Sequence, residues 1–175
     1  VWYPRTVSMQ EGLGASLFAT ELCGDSGGRP EAPIMDLEKV LCGVLVDWAA
    51  NGSVSCMHDV SEGGFAFALA EMCLESQCGL QVDIEGLDLG TSSQSRLFGE
   101  FPGVVIIGVE QGQARDVERS RDQNLCLARI GATTTSGVMQ IERNGSPLLE
   151  VQTSDIATLF EAAIPSIMTS NVSAQ

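Results

Sequence analysis

The sequence predicts an α+β fold, in which a mixed β-sheet carries packed helices. Three observations indicate this class. Apolar residues recur at helical spacing between residues 36 and 50. The continuous apolar run 103–109 is typical of a strand buried on both faces. Asn144-Gly145 separates two alternating segments, which predicts a hairpin. The 175 residues fit one domain, and 44% hydrophobic content is usual for a globular protein.

The first 35 residues have the weakest periodicity and are predicted to be loops around a short apolar piece at 17–22. A helix is predicted over 36–50, with Asp36 as its N-cap and Asn51-Gly52 as its stop. Its single apolar stripe consists of Leu37, Val40, Leu41, Val44, Leu45 and Trp48.

A short strand is predicted over 54–57, followed by a second helix over about 62–75. Asp59 and Glu62 have the spacing of a capping box, and Ser61 is a competing cap. One face of this helix is predicted to be apolar, and small residues beside it permit close approach to a sheet. These two sets are Phe65, Leu69, Met72 and Cys73, and Ala66, Ala68 and Ala70.

The remaining elements are predicted from shorter patterns. Strands are expected at 79–84 and 125–133, a loop at 86–94, and a charged helix at 111–124. The hairpin strands are expected at 138–142 and 148–152. Ser154 is predicted to cap a last helix whose final turn Pro165 weakens. One side of that helix carries Ile156, Leu159, Phe160, Ala163 and Ile164.

The chain is accordingly divided into three parts. Residues 1–35 form a loop-rich N-terminal segment of the domain, residues 36–168 form the α/β core, and residues 169–175 form a polar tail. The first residues do not combine a basic region with an apolar core, so they are not predicted to be a signal peptide. Because the chain begins with Val1 and not Met, we interpret it as processed or excised.

The net charge of −14 excludes several classes of partner. A phosphate backbone or an anionic membrane surface repels so acidic a protein, so neither nucleic acid nor membrane is expected as a partner. No apolar run reaches ~18 residues, so no transmembrane helix is predicted. A small phosphorylated ligand stays open, because backbone N–H groups can bind it locally.

The six cysteines contain no CxxC pair, and the sequence has a single histidine. Few of the usual ligands are therefore available for a structural zinc site. We interpret the cysteines as reduced, mostly buried thiols of a cytosolic protein, with Cys42 and Cys73 on apolar helical faces. A redox role for Cys73 and Cys78 is the alternative. The set is Cys23, Cys42, Cys56, Cys73, Cys78 and Cys126.

Residues 58–65 (HDVSEGGF) combine the only histidine with two adjacent glycines at a predicted helix start. The first N–H groups of a helix suit an anion, and glycines let it approach the backbone. The candidate phosphate or nucleotide contacts are Asp59, Ser61, Glu62, Gly63 and Gly64. The alternative for the two glycines is close packing of the helix against the sheet or another domain.

Two sharper interpretations are less favoured. His58 and Asp59 could form an acid/base pair, but adjacent residues on a strand point to opposite faces, so a cap beside a partly buried histidine fits better. Asp36, Glu38 and Asp47 could hold a metal ion, although capping and a solvated helix face explain them as well. No catalytic residue and no metal ligand is predicted in this chain.

Residues 58–72 (HDVSEGGFAFALAEM) resemble the signature HD-[LV]-S-[DE]-G-G-L-A-x-A-L-A-E-M of phosphoribosylformylglycinamidine synthase. More narrowly, the chain resembles the last domain of the small, bacterial-type subunit, whose fold is that of the aminoimidazole ribonucleotide synthetase C-terminal domain. Further similar segments follow in family order: GLGAS at 12–16, GRP at 28–30 with DLEKV at 36–40, LFGE at 97–100, and LFEAAIP at 159–165.

The resemblance implies an ATP-dependent C–N ligase of purine biosynthesis. The full enzyme uses ATP, Mg²⁺ and glutamine-derived ammonia to convert formylglycinamide ribonucleotide to its amidine. The implied partners are the upstream domains of the same subunit, a glutaminase subunit and a small accessory subunit, in the cytoplasm. The catalytic groups belong to the other, pseudo-symmetric half, so this domain is expected to scaffold that half, to line an auxiliary nucleotide site and to be inactive alone.

Two departures from the family pattern support the auxiliary interpretation. Gly99-Glu100-Phe101 stands where the family has S-E-S, and Ser16-Leu17-Phe18 stands where it has S-E-Y. Two alternatives stay open. One is another superfamily member, such as aminoimidazole ribonucleotide synthetase, selenophosphate synthetase or the hydrogenase-maturation carbamoyl dehydratase. The other is a stand-alone, non-catalytic interaction domain.

Overall fold

A computed structural model describes the backbone of residues 2–5, 12–25, 27–87 and 89–172. Eight strands and five α-helices occur in these ranges, together with a single turn of π-helix at Phe18–Leu22. The strands are β1 Trp2–Arg5, β2 Cys56–Asp59, β3 Gly79–Asp83, β4 Val105–Gly108, β5 Cys126–Arg129, β6 Gly131–Thr134, β7 Val138–Arg143 and β8 Ser146–Gln152. The helices are α1 Met35–Asn51, α2 Gly64–Ser76, α3 Ser93–Phe98, α4 Ala114–Ser120 and α5 Thr153–Val172.

The strands form two four-stranded sheets. The first has the order β2-β4-β1-β5 and is antiparallel throughout. The second has the order β6-β3-β7-β8 and is mixed, because β3 and β7 run parallel while the other pairs are antiparallel. The α+β class with a mixed sheet and packed helices is therefore confirmed, and the single sheet of the prediction is divided into two.

The division occurs inside one predicted strand, 125–133. Residues before Ile130 pair in the first sheet as β5, and residues after it pair in the second as β6. Ile130 itself is buried in the core. Gly131 lies directly against the Gln81 carbonyl of β3, where a side chain would not fit. Local periodicity cannot show such a change of sheet, because both halves have the same alternation.

Two apolar clusters form the core. Helix α1 covers the first sheet with its predicted stripe, in which Leu41 and Trp48 are buried and Trp48 Nε1 donates to Ser120 Oγ at 2.7 Å. Helix α2 packs on a larger cluster through its predicted apolar face and small residues. Strand β4 contributes Ile106 to one cluster and Ile107 to the other, which confirms a strand buried on both faces.

Both predicted N-terminal caps of the first two helices were wrong. Helix α1 follows Ile34, so Asp36 lies inside its first turn, while Gly52 ends it in the left-handed conformation as expected. Helix α2 follows Gly63, whose φ is +80°, so its N-cap residue has no side chain with which to cap it. The capping-box spacing of Asp59 and Glu62 failed because strand β2 still includes Asp59 and the turn needs residues 61–63.

The later helices differ in extent. Helix α3 begins inside the predicted loop and is capped by Ser92, whose hydroxyl accepts the Ser95 N–H at 3.0 Å. Helix α4 covers only the middle of the predicted 111–124. Helix α5 begins at Thr153, so Ser154 is not its cap, and it continues past Pro165. Proline removes one N–H but leaves the rest of the backbone bonds available.

The cysteines are less buried than predicted, although all six are free thiols. Only Cys73 is buried, Cys78 is half-buried, and Cys42 lies on the exposed side of α1 beside buried Leu41. Burial, with a smaller contribution from nearby Cys78, raises the pKa of the Cys73 thiol to about 11. Cys42 was predicted to lie on the apolar face of α1, but the buried stripe passes through the neighbouring Leu41 instead.

Strand β1 pairs with both β4 and β5, so the first 35 residues contribute a strand to the first sheet. The division of the chain at residues 35 and 168 stays a prediction.

None of the helices in the described ranges combines the length and apolarity needed to cross a bilayer. Within the same ranges, no three His, Cys, Asp or Glu side chains are grouped as a metal site would require.

Candidate functional site

Four segments that are distant in the sequence meet at the start of α2. The Ala15 N–H donates to the Gly27 carbonyl at 3.0 Å, and the Glu100 N–H donates to the Gly12 carbonyl at 3.0 Å. The Glu100 side chain then reaches the turn before α2. The segments 12–17, 27–29, 61–64 and 98–101 thus form one contiguous site, and each contains a motif or a departure identified in the sequence.

Glu100 is the central residue of this site. Its Oε1 accepts the Gly63 N–H at 2.9 Å and the Leu17 N–H at 2.8 Å. Gly63 precedes α2 and Leu17 precedes the π-helical turn, so one carboxylate serves two helix starts. Hydrogen bonds to an ionised acceptor are stronger than neutral ones, and the helix dipole favours a negative charge here. The anion at the turn is therefore supplied by the chain itself.

Gly63 and Gly64 both adopt the left-handed backbone conformation, with φ of +80° and +71°. A methyl group on Gly64 would lie 2.7 Å from the Phe98 carbonyl carbon, well inside van der Waals contact. On Gly63 it would collide with the Phe67 ring. The Gly64 N–H donates to the Ser61 carbonyl at 3.0 Å. Close internal packing, against Phe67 and against the end of α3, therefore surrounds the two glycines. The alternative of packing against the sheet or another domain stays a prediction.

The five candidate contacts lie between the end of β2 and the start of α2, but their surroundings differ. Gly63 and Gly64 are buried, whereas Ser61 and Glu62 are exposed and 77% of the Asp59 side chain is accessible. Two carboxylates and one hydroxyl therefore face solvent around a covered backbone. Their role in binding phosphate or nucleotide stays a prediction.

His58 connects strand β2 to helix α2. Its Nδ1 lies 2.7 Å from the Asp59 carbonyl oxygen, and because a carbonyl only accepts, Nδ1 carries the hydrogen. Its Nε2 lies 3.4 Å from Glu71 Oε2, a contact that is an ion pair only when the ring is protonated. The Nδ1 atom is 3.9 Å from Asp59 Oδ1. The imidazole ring is thus held between the Asp59 carbonyl and Glu71 of α2, which favours a structural role for His58 over a catalytic one.

Phenylalanines fill the space around the turn. Phe101 is 3% exposed, and its ring occupies the space beside Gly12 and Gly99. Phe18 and Phe98 stack with their ring centroids 4.9 Å apart and an interplanar angle of 14°. The bulk of Phe101 is accommodated on this side because Gly12 and Gly99 have no side chains.

Sequence reasoning did not identify Glu100, Phe67 or Phe98 as site residues. The only signal was the similarity of LFGE at 97–100 to a family segment. Glu100 is 37 residues from Gly63 and 83 residues from Leu17 along the chain. The local sequence around Gly63 or around Leu17 does not indicate that either N–H pairs with Glu100.

Comparisons with known proteins agree with this arrangement of motifs. The family described as AIR synthase related protein, C-terminal domain, matches residues 7–144. The phosphoribosylformylglycinamidine synthase subunit PurL of Thermobifida fusca is 31% identical over 156 residues, covering 89% of this chain and 20% of the relative. The corresponding subunit of Chlorobaculum tepidum is 34% identical over 168 residues, covering 89% of this chain and 22% of the relative.

The fold agrees with a solved structure, PurL of Thermotoga maritima complexed with FGAR. The TM-score is 0.75 at 18% identity, covering 89% of this chain and 27% of that one. The chain spans about a fifth of the length of the curated relatives it matches. The profile match, the relatives and the fold agree across nearly the whole chain. The chain therefore belongs to the family of AIR synthase related proteins, as their C-terminal domain.

Proposed function

We propose that the chain is the C-terminal domain of a phosphoribosylformylglycinamidine synthase subunit and acts there as a scaffold for the catalytic half. The whole enzyme would convert formylglycinamide ribonucleotide to its amidine with ATP, Mg²⁺ and glutamine-derived ammonia. Support comes from relatives of that name at 31% and 34% identity over 89% of the chain. The domain alone would be inactive.

One observation carries the scaffold role: the turn that would receive a phosphate is filled by the chain's own groups. The Glu100 carboxylate takes the Gly63 N–H, the Phe67 ring covers Gly63, and the end of α3 lies against Gly64. A turn that bound a reacting phosphate would keep those N–H groups available. The arrangement therefore favours holding the loops in place over chemistry.

An auxiliary nucleotide contact at the same turn is part of the proposal. Asp59, Ser61 and Glu62 would contact the ligand from the exposed rim, the carboxylates through Mg²⁺ and the hydroxyl through a phosphate oxygen. Gly63 would take part only after the Glu100 carboxylate moved away from its N–H, and Gly64 only after its N–H left the Ser61 carbonyl. Calorimetry with ADP and Mg²⁺ tests this contact, with heat of binding expected to increase in Glu100→Ala.

The apolar face of α5 favours an interface with the upstream domains of the same subunit. Leu159, Phe160, Ile164, Ile167 and Met168 share this face and are each between 58% and 73% exposed. Only Ile156, near the start of the helix, packs against the core cluster. Contiguous exposed apolar surface of this kind usually marks an interaction site.

The charge of α5 limits the kind of surface that can pack against it. Helix α5 contains Asp155 and Glu161 but no lysine or arginine, and no basic residue follows Arg143 in the sequence. The matching surface on the upstream domains should therefore be apolar with basic residues at its edge. A glutaminase subunit and a small accessory subunit would complete the assembly. The proposed location is the cytoplasm, which the six free thiols support.

A domain exchange tests the proposal. This chain replaces the corresponding C-terminal fifth of the Thermobifida fusca subunit, and ADP release is measured with formylglycinamide ribonucleotide, ATP, Mg²⁺ and ammonium chloride. We expect the exchanged subunit to be active, the truncated subunit to be inactive, and this chain alone to release no ADP. A matched exchange with the Chlorobaculum tepidum segment controls for damage at the junction.

An inactive exchange would contradict the proposal if the hybrid is soluble, melts cooperatively and the control exchange is active. Activity restored by this chain in an aminoimidazole ribonucleotide synthetase, but not in the first hybrid, would favour the other superfamily member. A stand-alone interaction domain is favoured instead if the isolated chain is a monomer at all concentrations and the hybrid fails.

A further inference from the structure

An apolar cavity of about 260 Å³ lies beside the turn that precedes α2. The Phe18, Phe67 and Phe98 side chains line it, together with Leu17, Leu22 and the Gly63 backbone. This lining comes from three separate segments, the π-helical turn, the start of α2 and the end of α3. The cavity is distinct from the exposed rim of Asp59, Ser61 and Glu62, which faces solvent.

The aromatic walls of the cavity are arranged for a flat group. The Phe18 and Phe98 rings are nearly parallel at 14°, so they form one preorganised wall. The Phe67 ring lies against Gly63, where the absence of a side chain lets it approach the turn. Although it is aromatic, Phe67 is 47% exposed. An aromatic side chain left half open beside an apolar cavity provides a face for stacking.

The charges around the cavity have one sign. Among the described residues that line it, Glu21 is the only charged one. The Glu100 carboxylate lies behind the floor, 2.9 Å from the Gly63 nitrogen, and exposed Glu62 precedes that residue. The chain as a whole carries −14 charges. A phosphate is repelled here, while a positive group gains from the carboxylates and from the negative faces of the rings.

We propose that this cavity binds a small planar aromatic ring that carries a positively charged substituent. The ring would stack between Phe67 and the Phe18–Phe98 wall, and the cationic group would lie at the rim beside Glu21. The site does not depend on the proposed ligase role, since all of its lining residues lie within this chain.

The test is an NMR titration of the ¹⁵N-labelled chain with three matched indoles: tryptamine, which is cationic, 3-methylindole, which is neutral, and indole-3-propionate, which is anionic. We expect tryptamine to bind at least fivefold more tightly than 3-methylindole, and indole-3-propionate to bind more weakly than both. The amide shifts should concentrate at Leu17, Gly63 and Phe67.

Variants then separate stacking from charge. Phe67→Ala should weaken tryptamine binding at least fivefold, while Phe67→Tyr should retain it. Glu21→Gln should remove most of the preference for tryptamine over 3-methylindole. Glu161→Gln, which removes an exposed carboxylate of α5, is the matched control and should leave the preference unchanged. Thermal melts confirm that each variant is folded.

Any one of the following results would overturn the proposal. The first is the absence of saturable shifts with tryptamine. The second is a set of shifts centred on the cavity lined by Cys56, Met72 and Cys78, which lies at the other end of α2. The third is equal affinity for the cationic and anionic indoles, or an equal loss of preference in Glu21→Gln and Glu161→Gln.

Discussion

At the level of residues, a single carboxylate determines how the glycine-rich turn before α2 is used. Glu100 Oε1 satisfies one backbone N–H at each of two helix starts. These groups would otherwise be open to an external anion. The same sequence motif can therefore bind a ligand or hold a loop, depending on a residue far away in the chain.

Replacing Glu100 should destabilise the domain. Glu100→Ala removes both hydrogen bonds and should lower the free energy of unfolding by about 2–3 kcal/mol. Glu100→Gln keeps an accepting oxygen but loses the charge, so the decrease should be about 1 kcal/mol. Urea denaturation measures both. Equal stability of Glu100→Ala and the wild type would show that the carboxylate does not hold the two segments.

The two glycines of the turn should differ in their tolerance of a side chain. Gly64→Ala meets the Phe98 backbone, which cannot yield, and should cost about 2–4 kcal/mol of unfolding free energy. Gly63→Ala meets the ring of Phe67 and, at 2.9 Å, its Cβ atom. The ring can rotate toward solvent and no backbone atom is among these contacts, so a smaller loss of about 1–2 kcal/mol is expected. Chemical denaturation of both variants gives the comparison, and a larger loss for Gly63→Ala would contradict it.

Asp83 should make the stability of the hairpin end depend on pH. The Glu85 N–H at 2.8 Å, with smaller contributions from the Gly145 and Asn144 N–H groups, lowers the pKa of Asp83 below its ordinary value of 3.8. A carboxyl whose pKa is lower in the folded than in the unfolded chain stabilises the protein fully above its unfolded-state pKa. This stabilisation is lost as the pH falls through the folded-state pKa.

The measurement is the free energy of unfolding of the wild type and Asp83→Asn between about pH 6 and pH 3. The difference between the two should be largest at pH 6 and should shrink toward pH 3. Asp155→Asn, at an exposed carboxylate in the first turn of α5, is the control and should parallel the wild type. A constant difference across the range would mean that the Asp83 hydrogen bonds do not depend on its charge.

At the level of elements, periodicity identified most helices and strands but not their ends. The stripes of α1 and α2 are buried or half-buried as predicted, because a continuous apolar face leaves water only by packing against the core. The caps of both helices were mistaken, because a residue of capping type can equally end a strand or lie within the first turn. The change of sheet at Ile130 likewise has no local signal.

Helix α1 contains a position that should accept a better helix former. Gly43 lies in its interior, on the exposed side, with open space where a methyl group would be. Gly43→Ala should raise the free energy of unfolding by about 0.5–1 kcal/mol, because the unfolded backbone loses freedom and the helix gains propensity. Thermal denaturation measures the change, and a lower melting temperature would show that the position is covered.

At the level of the whole molecule, burial is uneven. The two clusters are closed, whereas the apolar face of α5 remains open to solvent beyond Ile156. The acidic net charge opposes contact between copies of the chain, whereas the apolar face of α5 favours association. An exposed apolar face of this kind is typical of a domain that packs against another protein surface.

Neutral polar substitutions on α5 test this view. The triple variant Leu159→Gln, Ile164→Gln and Ile167→Gln should abolish the concentration-dependent association expected of the wild type in 0.5 M NaCl, where repulsion is screened. Val46→Gln, at an exposed apolar residue of α1, should leave association unchanged. Sedimentation velocity gives the readout, and a wild type that stays monomeric throughout would contradict an open interface.

The sequence by itself determined the fold class, the amphipathic helices, the hairpin and the glycine-rich turn, because each depends on neighbours within a few residues. Only the tertiary structure decided that two sheets form, that α5 stays exposed and that the turn is filled by Glu100 and Phe67. The Glu100 partners lie 37 and 83 residues away, and a local pattern does not record which distant side chain reaches a backbone N–H.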